Sequence, residues 1–445
     1  MRLRDGVSKS DVLLVVQGCI VLTLYRVGLA ANSPGDIQWL IKLVLVQSAI
    51  YLPAAWIVLR TRPSRVTLFI VIAFAVLFRL SILFSPPYLS DDIYRYIWDG
   101  RVQAAGINPY RYVPAAPELA HLRDDNIYPK INRRDYAHTI YPPLAEGLFL
   151  MTTRISESVV WMKLTMLGFE VVAVWAMFQL LTSLGLARER LLIYTWHPLV
   201  IWEFGGSGHV DAIAIAFIAL TLLALYKKAG IAAGFALACA TLVKLFPVVL
   251  LPALYKPRRR IIAAIFAATM LLAYLPYLSV GPTALLGYLP GYAQEQGLAS
   301  GEQFYLLNLA RKLFGANLPS GAFVGFAAIV LAGIACWAIL QKTRSADWLR
   351  PAMVLATATT VLFAPHYSWY FAWLVPFLCF TPSVAVFYLT IAGFVLYFTW
   401  LGDSPDQMFV INSIIYLPLL LIGAIEFFFR RERGATKEHL IAFCD

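Results

Sequence analysis

Two adjacent aspartates, Asp91 and Asp92, open the stretch Ser90-Asp91-Asp92-Ile93-Tyr94-Arg95-Tyr96-Ile97-Trp98-Asp99-Gly100, directly after a long apolar run. A carboxylate at a membrane rim is partly desolvated, which raises its pKa toward that of a working general base. Ser90 suits an N-cap, two acids suit the first turn of a helix, and Gly106 followed by Asn108-Pro109 supplies a stop, so a helix is predicted over about 91 to 105. On that helix Asp92, Arg95, Tyr96 and Asp99 share one face, while Asp91, Arg95 and Trp98 share the adjacent one. The competing reading is an interfacial helix whose Tyr and Trp side chains anchor it at the membrane surface.

Four further groups of residues have chemical potential. Lys244, in Thr241-Leu242-Val243-Lys244-Leu245-Phe246-Pro247, lies within an apolar stretch. An ionisable group at depth costs roughly 2.5 to 3.5 kcal/mol on insertion scales, so it calls for an anionic partner or for snorkelling to the rim. Gly205-Gly206-Ser207-Gly208-His209-Val210-Asp211 combines flexible backbone with an imidazole and a carboxylate, either as a ligand-approach loop or as a tight turn. His366 stands among aromatics in Pro365-His366-Tyr367-Ser368-Trp369-Tyr370, and Tyr141-Pro142-Pro143-Leu144 sets an entry turn before a helix. His, Lys and Arg side chains gathered at one membrane face would suit a phosphate at headgroup level.

These residues must be positioned by a membrane bundle. Of the 445 residues, 60% are hydrophobic and 14% charged, which excludes an ordinary soluble domain. Apolar runs near the ~20 residues needed to cross a bilayer recur throughout. Spans are predicted at 12 to 31, 37 to 60, 65 to 84, 158 to 183, 190 to 204, 211 to 226, 261 to 280, 320 to 341, 347 to 364, 367 to 380, 383 to 401 and 406 to 429. The first is read as a retained span rather than a cleaved signal. Segment 230 to 255 reads as a hairpin with Lys244 near its outer tip, and 142 to 156 as a helix at the outer face.

The net charge of +11 comes from clusters between the apolar runs, such as Lys227-Lys228 and Arg258-Arg259-Arg260. No single stripe forms, so the basic balance marks the cytoplasmic side rather than a nucleic-acid partner. Both termini are then cytoplasmic, and 85 to 157 is the dominant outward loop. Cys19, Cys239, Cys336 and Cys379 fall in apolar segments and Cys444 near the C-terminus, with no disulfide or metal spacing.

Taken in order, Asp91-Asp92 with Tyr94-Arg95-Tyr96-Ile97-Trp98-Asp99-Gly100, Asn108-Pro109-Tyr110, Tyr141-Pro142-Pro143-Leu144, Gly208-His209-Val210-Asp211, Lys244 with Phe246-Pro247, and His366 before Trp369-Tyr370 resemble the GT-C superfamily of membrane glycosyltransferases. The likeness is closest to family 87 and related polyprenol-phosphate-mannose-dependent mannosyltransferases, and it spans most of the chain. The resemblance implies an all-α bundle of about 12 to 14 transmembrane helices with a long first extracytoplasmic loop holding short interfacial helices. It implies one domain over 1–445, with 85–157 as the catalytic loop and 261–445 completing the donor site.

The activity implied is inverting transfer of a sugar, with mannose expected, from a polyprenyl-phosphate donor to a lipid-linked or glycan acceptor of the cell envelope. The expected location is the outer face of a bacterial cytoplasmic membrane. Asp91 or Asp92 would be the base, with Asp91 preferred as nearest the span end. His366, Lys244, Arg95 and Arg101 would bind the donor phosphate, and Asp99, Tyr141, His209 and Asp211 the sugar or acceptor. No cofactor is expected, with a divalent metal left open. Two rival classes are an O-antigen polymerase or ligase, whose large loop would come late and be rich in Arg, and a lipid-linked sugar transporter or flippase, which would show repeated halves and short loops.

Overall fold

In the computed structural model, the described residues are 7–30, 37–61, 64–255, 260–315, 317–340, 348–402 and 404–442. Among them every regular element is helical, with no strand. Seven helices are long and apolar enough to cross a membrane, including α1 (Lys9–Ala30), α2 (Ile37–Arg60) and α3 (Arg65–Leu83). Five shorter apolar helices complete the bundle. Many large apolar side chains point outward from the long helices, Phe69, Leu271, Ile329 and Leu421 among them, as suits a lipid solvent. The four described cysteines are free, and Cys444 lies outside the described residues.

Between α3 and the long helix α6 (Val159–Ser183) the chain leaves the bundle. It forms α4 (Asp92–Ala104), two short 3-10 turns at Pro117–Leu122 and Tyr128–Lys130, and α5 (Pro143–Thr153). The helix α4 begins one residue later than expected. Asp91, rather than Ser90, occupies the cap position, and Ser90 Oγ accepts from the Asp92 N–H at 3.2 Å. α5 packs on α4 at Gly100, where an added Cβ would meet the Phe149 carbonyl oxygen at 2.5 Å, so only a residue without a side chain allows the approach. Tyr96 stacks on Phe149 with ring centroids 4.7 Å apart. From Ile93 to Gly100 α4 is buried, and Asp91 and Asp92 at its start stay accessible.

The segment expected to cross at 190 to 204 is not one straight helix. It runs through a short turn at Arg188–Leu191, helical pieces at Leu192–Thr195 and Pro198–Val200, and a π-helical turn at Ile201–Gly206, with Leu191 through Phe204 fully buried. Pro198 breaks the ladder, and Gly205-Gly206 permits the widened turn. Irregular backbone survives at depth only where protein satisfies it. Here Tyr51 Oη donates to the Ile193 carbonyl at 2.7 Å, and Arg79 Nη1 donates to the Thr195 carbonyl at 2.8 Å. Arg79 also pairs with Glu170, joining α3 to α6. This clamped segment delivers Gly208-His209-Val210-Asp211 to the underside of α4.

Residues 230 to 255 form the expected hairpin. Helix Gly230–Thr241 rises, Lys244 sits in the turn, and Phe246–Leu250 with Leu251–Leu254 return. Backbone N–H groups of Leu144 and Ala145 donate to the Leu242 carbonyl at 3.2 Å, which fixes the tip against the start of α5.

Candidate active site

The first turn of α4, the Lys244 tip, the strand-like run before α5, helix Leu289–Glu295 and the turn after Pro365 enclose a cavity of about 500 Å³. That volume suits a sugar phosphate. Asp91, Asp92, Arg95, Tyr141 and Lys244 all line it. Residues more than 150 positions apart therefore converge on one cavity.

The two aspartates are not equivalent. Asp92 Oδ1 accepts from Asn132 Nδ2 at 2.9 Å, so part of its acceptor capacity is spent on orientation. The Asp91 side chain is exposed to the cavity and caps no helix N–H. Burial, and next the charge of Asp92, push the Asp91 carboxyl above its ordinary 3.8, while Lys130 opposes them. The deprotonated form is the one that accepts a proton, so base activity is lost as pH falls through this raised value. Lys130→Met removes the opposing charge, and the acid limb of the pH–rate profile is expected to move to higher pH. An unmoved or lowered limb, measured as kcat/KM against pH, would separate Asp91 from that limb.

Arg95 reaches the cavity from a braced position. Its Nε donates to both oxygens of Asp99, at 2.8 and 2.9 Å, and its Nη1 donates to the Ala137 carbonyl at 3.1 Å. Asp99 is buried behind it, next to Glu146, which accepts from Thr139 Oγ1 at 2.6 Å and Gln103 Nε2 at 2.8 Å. Burial raises both carboxyls, and the charge of Asp99 raises Glu146 further, while Arg95 opposes the rise at each. Asp99 is thus placed to orient Arg95 and does not face the cavity.

Lys244 Nζ lies 3.2 Å from Asp211 Oδ2 and 4.8 Å from the centre of the Tyr370 ring. Its anionic partner is present, which accounts for a lysine inside an apolar stretch. Asp211 and His209 sit behind the cavity wall, each 1% exposed. His209 stacks on Trp369 with ring centroids 4.2 Å apart and approaches Glu203 at 3.4 Å. Gly208 has φ +74, and a Cβ there would meet Ile93 at 2.6 Å, so the turn that presents His209 requires glycine.

Two expected phosphate contacts lie elsewhere. Arg101 is drawn away from the cavity by Glu157 and Asp124, each at 2.7 Å, because it falls on the far side of α4 from Asp92. His366 lines a second cavity and not the first, although its neighbour Tyr367 lines both.

The structure adds residues that the sequence did not single out. Arg133 lines the first cavity, with Nε donating to Glu295 Oε2 at 2.7 Å and Nη2 to Tyr367 Oη at 3.4 Å. Its backbone has φ 51, an uncommon conformation for a side chain of this size. Tyr288 and Tyr292 come from residues 281 to 319, which fold back so that the Tyr288 N–H donates to the Thr139 carbonyl at 3.1 Å. Among the described residues no group of three or more His, Cys, Asp or Glu side chains is arranged to hold a metal ion.

A polytopic helical bundle with an acidic first turn and a charged cavity at one end is consistent with the GT-C class of membrane glycosyltransferases. Within it, the chain belongs to the MptA_B family: the model described as alpha-(1->6)-mannopyranosyltransferase, N-terminal domain, matches residues 15–256. It is accordingly a mannosyltransferase-family enzyme. The matched region contains Asp91, Asp92, Arg95, Arg133 and Lys244, while Tyr288, Tyr292 and Tyr367 to Tyr370 complete the cavity from beyond it. No curated protein matches the chain.

Proposed function

We propose that the enzyme transfers mannose from a polyprenyl-phosphate donor to the 6-hydroxyl of a mannose-containing acceptor, with inversion, at the outer face of a bacterial cytoplasmic membrane with both termini inside. The observation that carries this reading is the joining of two environments. A third cavity of about 330 Å³, walled by Phe246, Val249, Phe363 and Trp373, shares Phe246, Tyr292 and Tyr370 with the charged one. An amphipathic donor with a charged head and an apolar tail matches that continuity.

In the reaction, Asp91 takes the proton of the acceptor hydroxyl as its oxygen bonds to the anomeric carbon. The bond from that carbon to the phosphate oxygen breaks, and its electron pair leaves with polyprenyl phosphate. Lys244, Arg95 and Arg133 balance the charge that grows there, which removes the need for a strong general acid. Asp92, held by Asn132, keeps the site anionic beside the positive anomeric centre. The basic clusters between spans support the orientation.

Purified protein in detergent, given polyprenyl-phosphate mannose and an α-linked mannose oligosaccharide, is expected to release polyprenyl phosphate and extend the oligosaccharide. Transfer from a nucleotide-linked mannose with none from the lipid donor would overturn the reading.

A further inference from the structure

The second cavity, about 700 Å³, adjoins the first, and Arg133 and Tyr367 line both. Apart from Arg133 it is built by residues that the proposed chemistry does not use, among them helix Tyr305–Phe314, the start of helix Pro405–Ala442, and the loop that carries Glu302.

Its charges identify what it would hold. Arg133, Arg311 and Lys312 face Glu295, Glu302 and Asp406, three cations against three carboxylates. The cations are already engaged. Arg133 pairs with Glu295 at 2.7 Å, Lys312 with Asp406 at 3.0 Å, and Arg311 donates to the carbonyls of Leu318 and Ser300. Burial pulls His366 down to about 4, so its ring is neutral at pH 7. The charges that line this cavity cancel, whereas Arg95, Arg133 and Lys244 outnumber Asp91 and Asp92 around the first, so the first suits a phosphate better.

Polar groups nevertheless await partners. Tyr305 and Asn412 are 1% and 2% exposed, and Tyr305 Oη, Asn412 Oδ1 and His366 Nε2 make no hydrogen bond among the described residues. Buried polar atoms left unmatched are unfavourable, so a ligand that supplies hydroxyl groups is favoured. Phe409 lies 5.6 Å from Tyr305, ring centre to ring centre, and adds an aromatic surface. Carboxylate, amide, phenol and imidazole groups around aromatic faces, with no net charge, match an uncharged polyol.

We propose that this cavity is the acceptor subsite and takes the uncharged, hydroxyl-rich end of a glycan, whose terminal residue passes Arg133 and Tyr367 to reach Asp91. The inference rests on the transferase reading above and specifies its second substrate.

The test measures transfer kinetics with an α-linked mannose trisaccharide for wild type, Asn412→Leu and the nearly isosteric Tyr305→Phe, together with trisaccharide binding by calorimetry in the absence of donor. Each variant should raise the acceptor KM by about tenfold, the loss expected for one buried hydrogen bond, with the donor KM unchanged. Calorimetric affinity should fall in parallel. Tyr305→Phe preserves packing, so it remains informative if Asn412→Leu does not fold. An unchanged acceptor KM in both variants, with wild-type transfer intact, overturns the subsite and leaves the transferase reading standing. A raised donor KM with the acceptor KM unchanged overturns it in favour of a phosphate ligand. Wild-type protein that binds the trisaccharide but never transfers to it contradicts the transferase reading while supporting a glycan site.

Discussion

Asp91→Asn is expected to lower kcat by about 100- to 10,000-fold, the usual contribution of a positioned general base. The amide keeps the shape of the side chain and cannot take the acceptor proton. Asp91 caps no helix N–H, so α4 should persist and the folded yield should be near that of wild type. Asp92→Asn should differ in kind. It leaves the base in place but removes the neighbouring charge that raises the Asp91 carboxyl. The acid limb of its pH–rate profile should therefore shift to lower pH, along with a smaller loss of kcat. The comparison requires kcat for both variants across pH. Retained turnover in both, and in the double variant, would remove the base assignment.

Lys244→Met is expected to cost about 100- to 1,000-fold in kcat, comparable to removing one preorganised charge-stabilising donor. The substitution also strips Asp211 of a partner 3.2 Å away, inside a wall where that carboxylate is 1% exposed. Breaking a buried pair from one side typically costs about 3 to 5 kcal/mol, so lost activity alone is ambiguous between charge and stability. The pair Lys244→Met with Asp211→Asn resolves this. Neutralising both groups should restore much of the thermal stability while kcat stays low. Recovery of kcat in the double variant would make Lys244 a structural partner of Asp211 rather than a phosphate contact.

What the sequence revealed about this site was local. The Arg95 and Asp99 pairing follows from a spacing of four on a helix, and the aspartate doublet announces itself after an apolar run. Lys244 was legible because a charge in an apolar stretch demands a partner, although the partner itself, Asp211, lies far along the chain. The remainder depended on tertiary placement. Arg133 looks like one of several loop arginines until residues 281 to 319 fold back and place Glu295 beside it. Tyr288 and Tyr292 are indistinguishable from interfacial anchors in the sequence. Arg101 and His366 are residue types suited to a phosphate, but α4 phasing turns Arg101 toward Glu157 and Asp124, and His366 lines the second cavity. The bundle itself was readable from hydropathy. The broken segment from 188 to 206 was not, because its composition is that of an ordinary span and its irregular backbone is sustained by Tyr51 and Arg79 from other helices.

The central claim is that the cavity at the head of α4 binds the reacting end of a lipid-linked sugar. A structure determined with a non-hydrolysable phosphonate analogue of polyprenyl-phosphate mannose tests it directly. The phosphonate is expected within contact distance of Lys244, Arg95 or Arg133, with the sugar facing Asp91 and the tail along Phe246 and Trp373. Density for the phosphonate in the cavity beside Tyr305 and Asn412, or on a surface remote from Asp91 and Asp92, would contradict it.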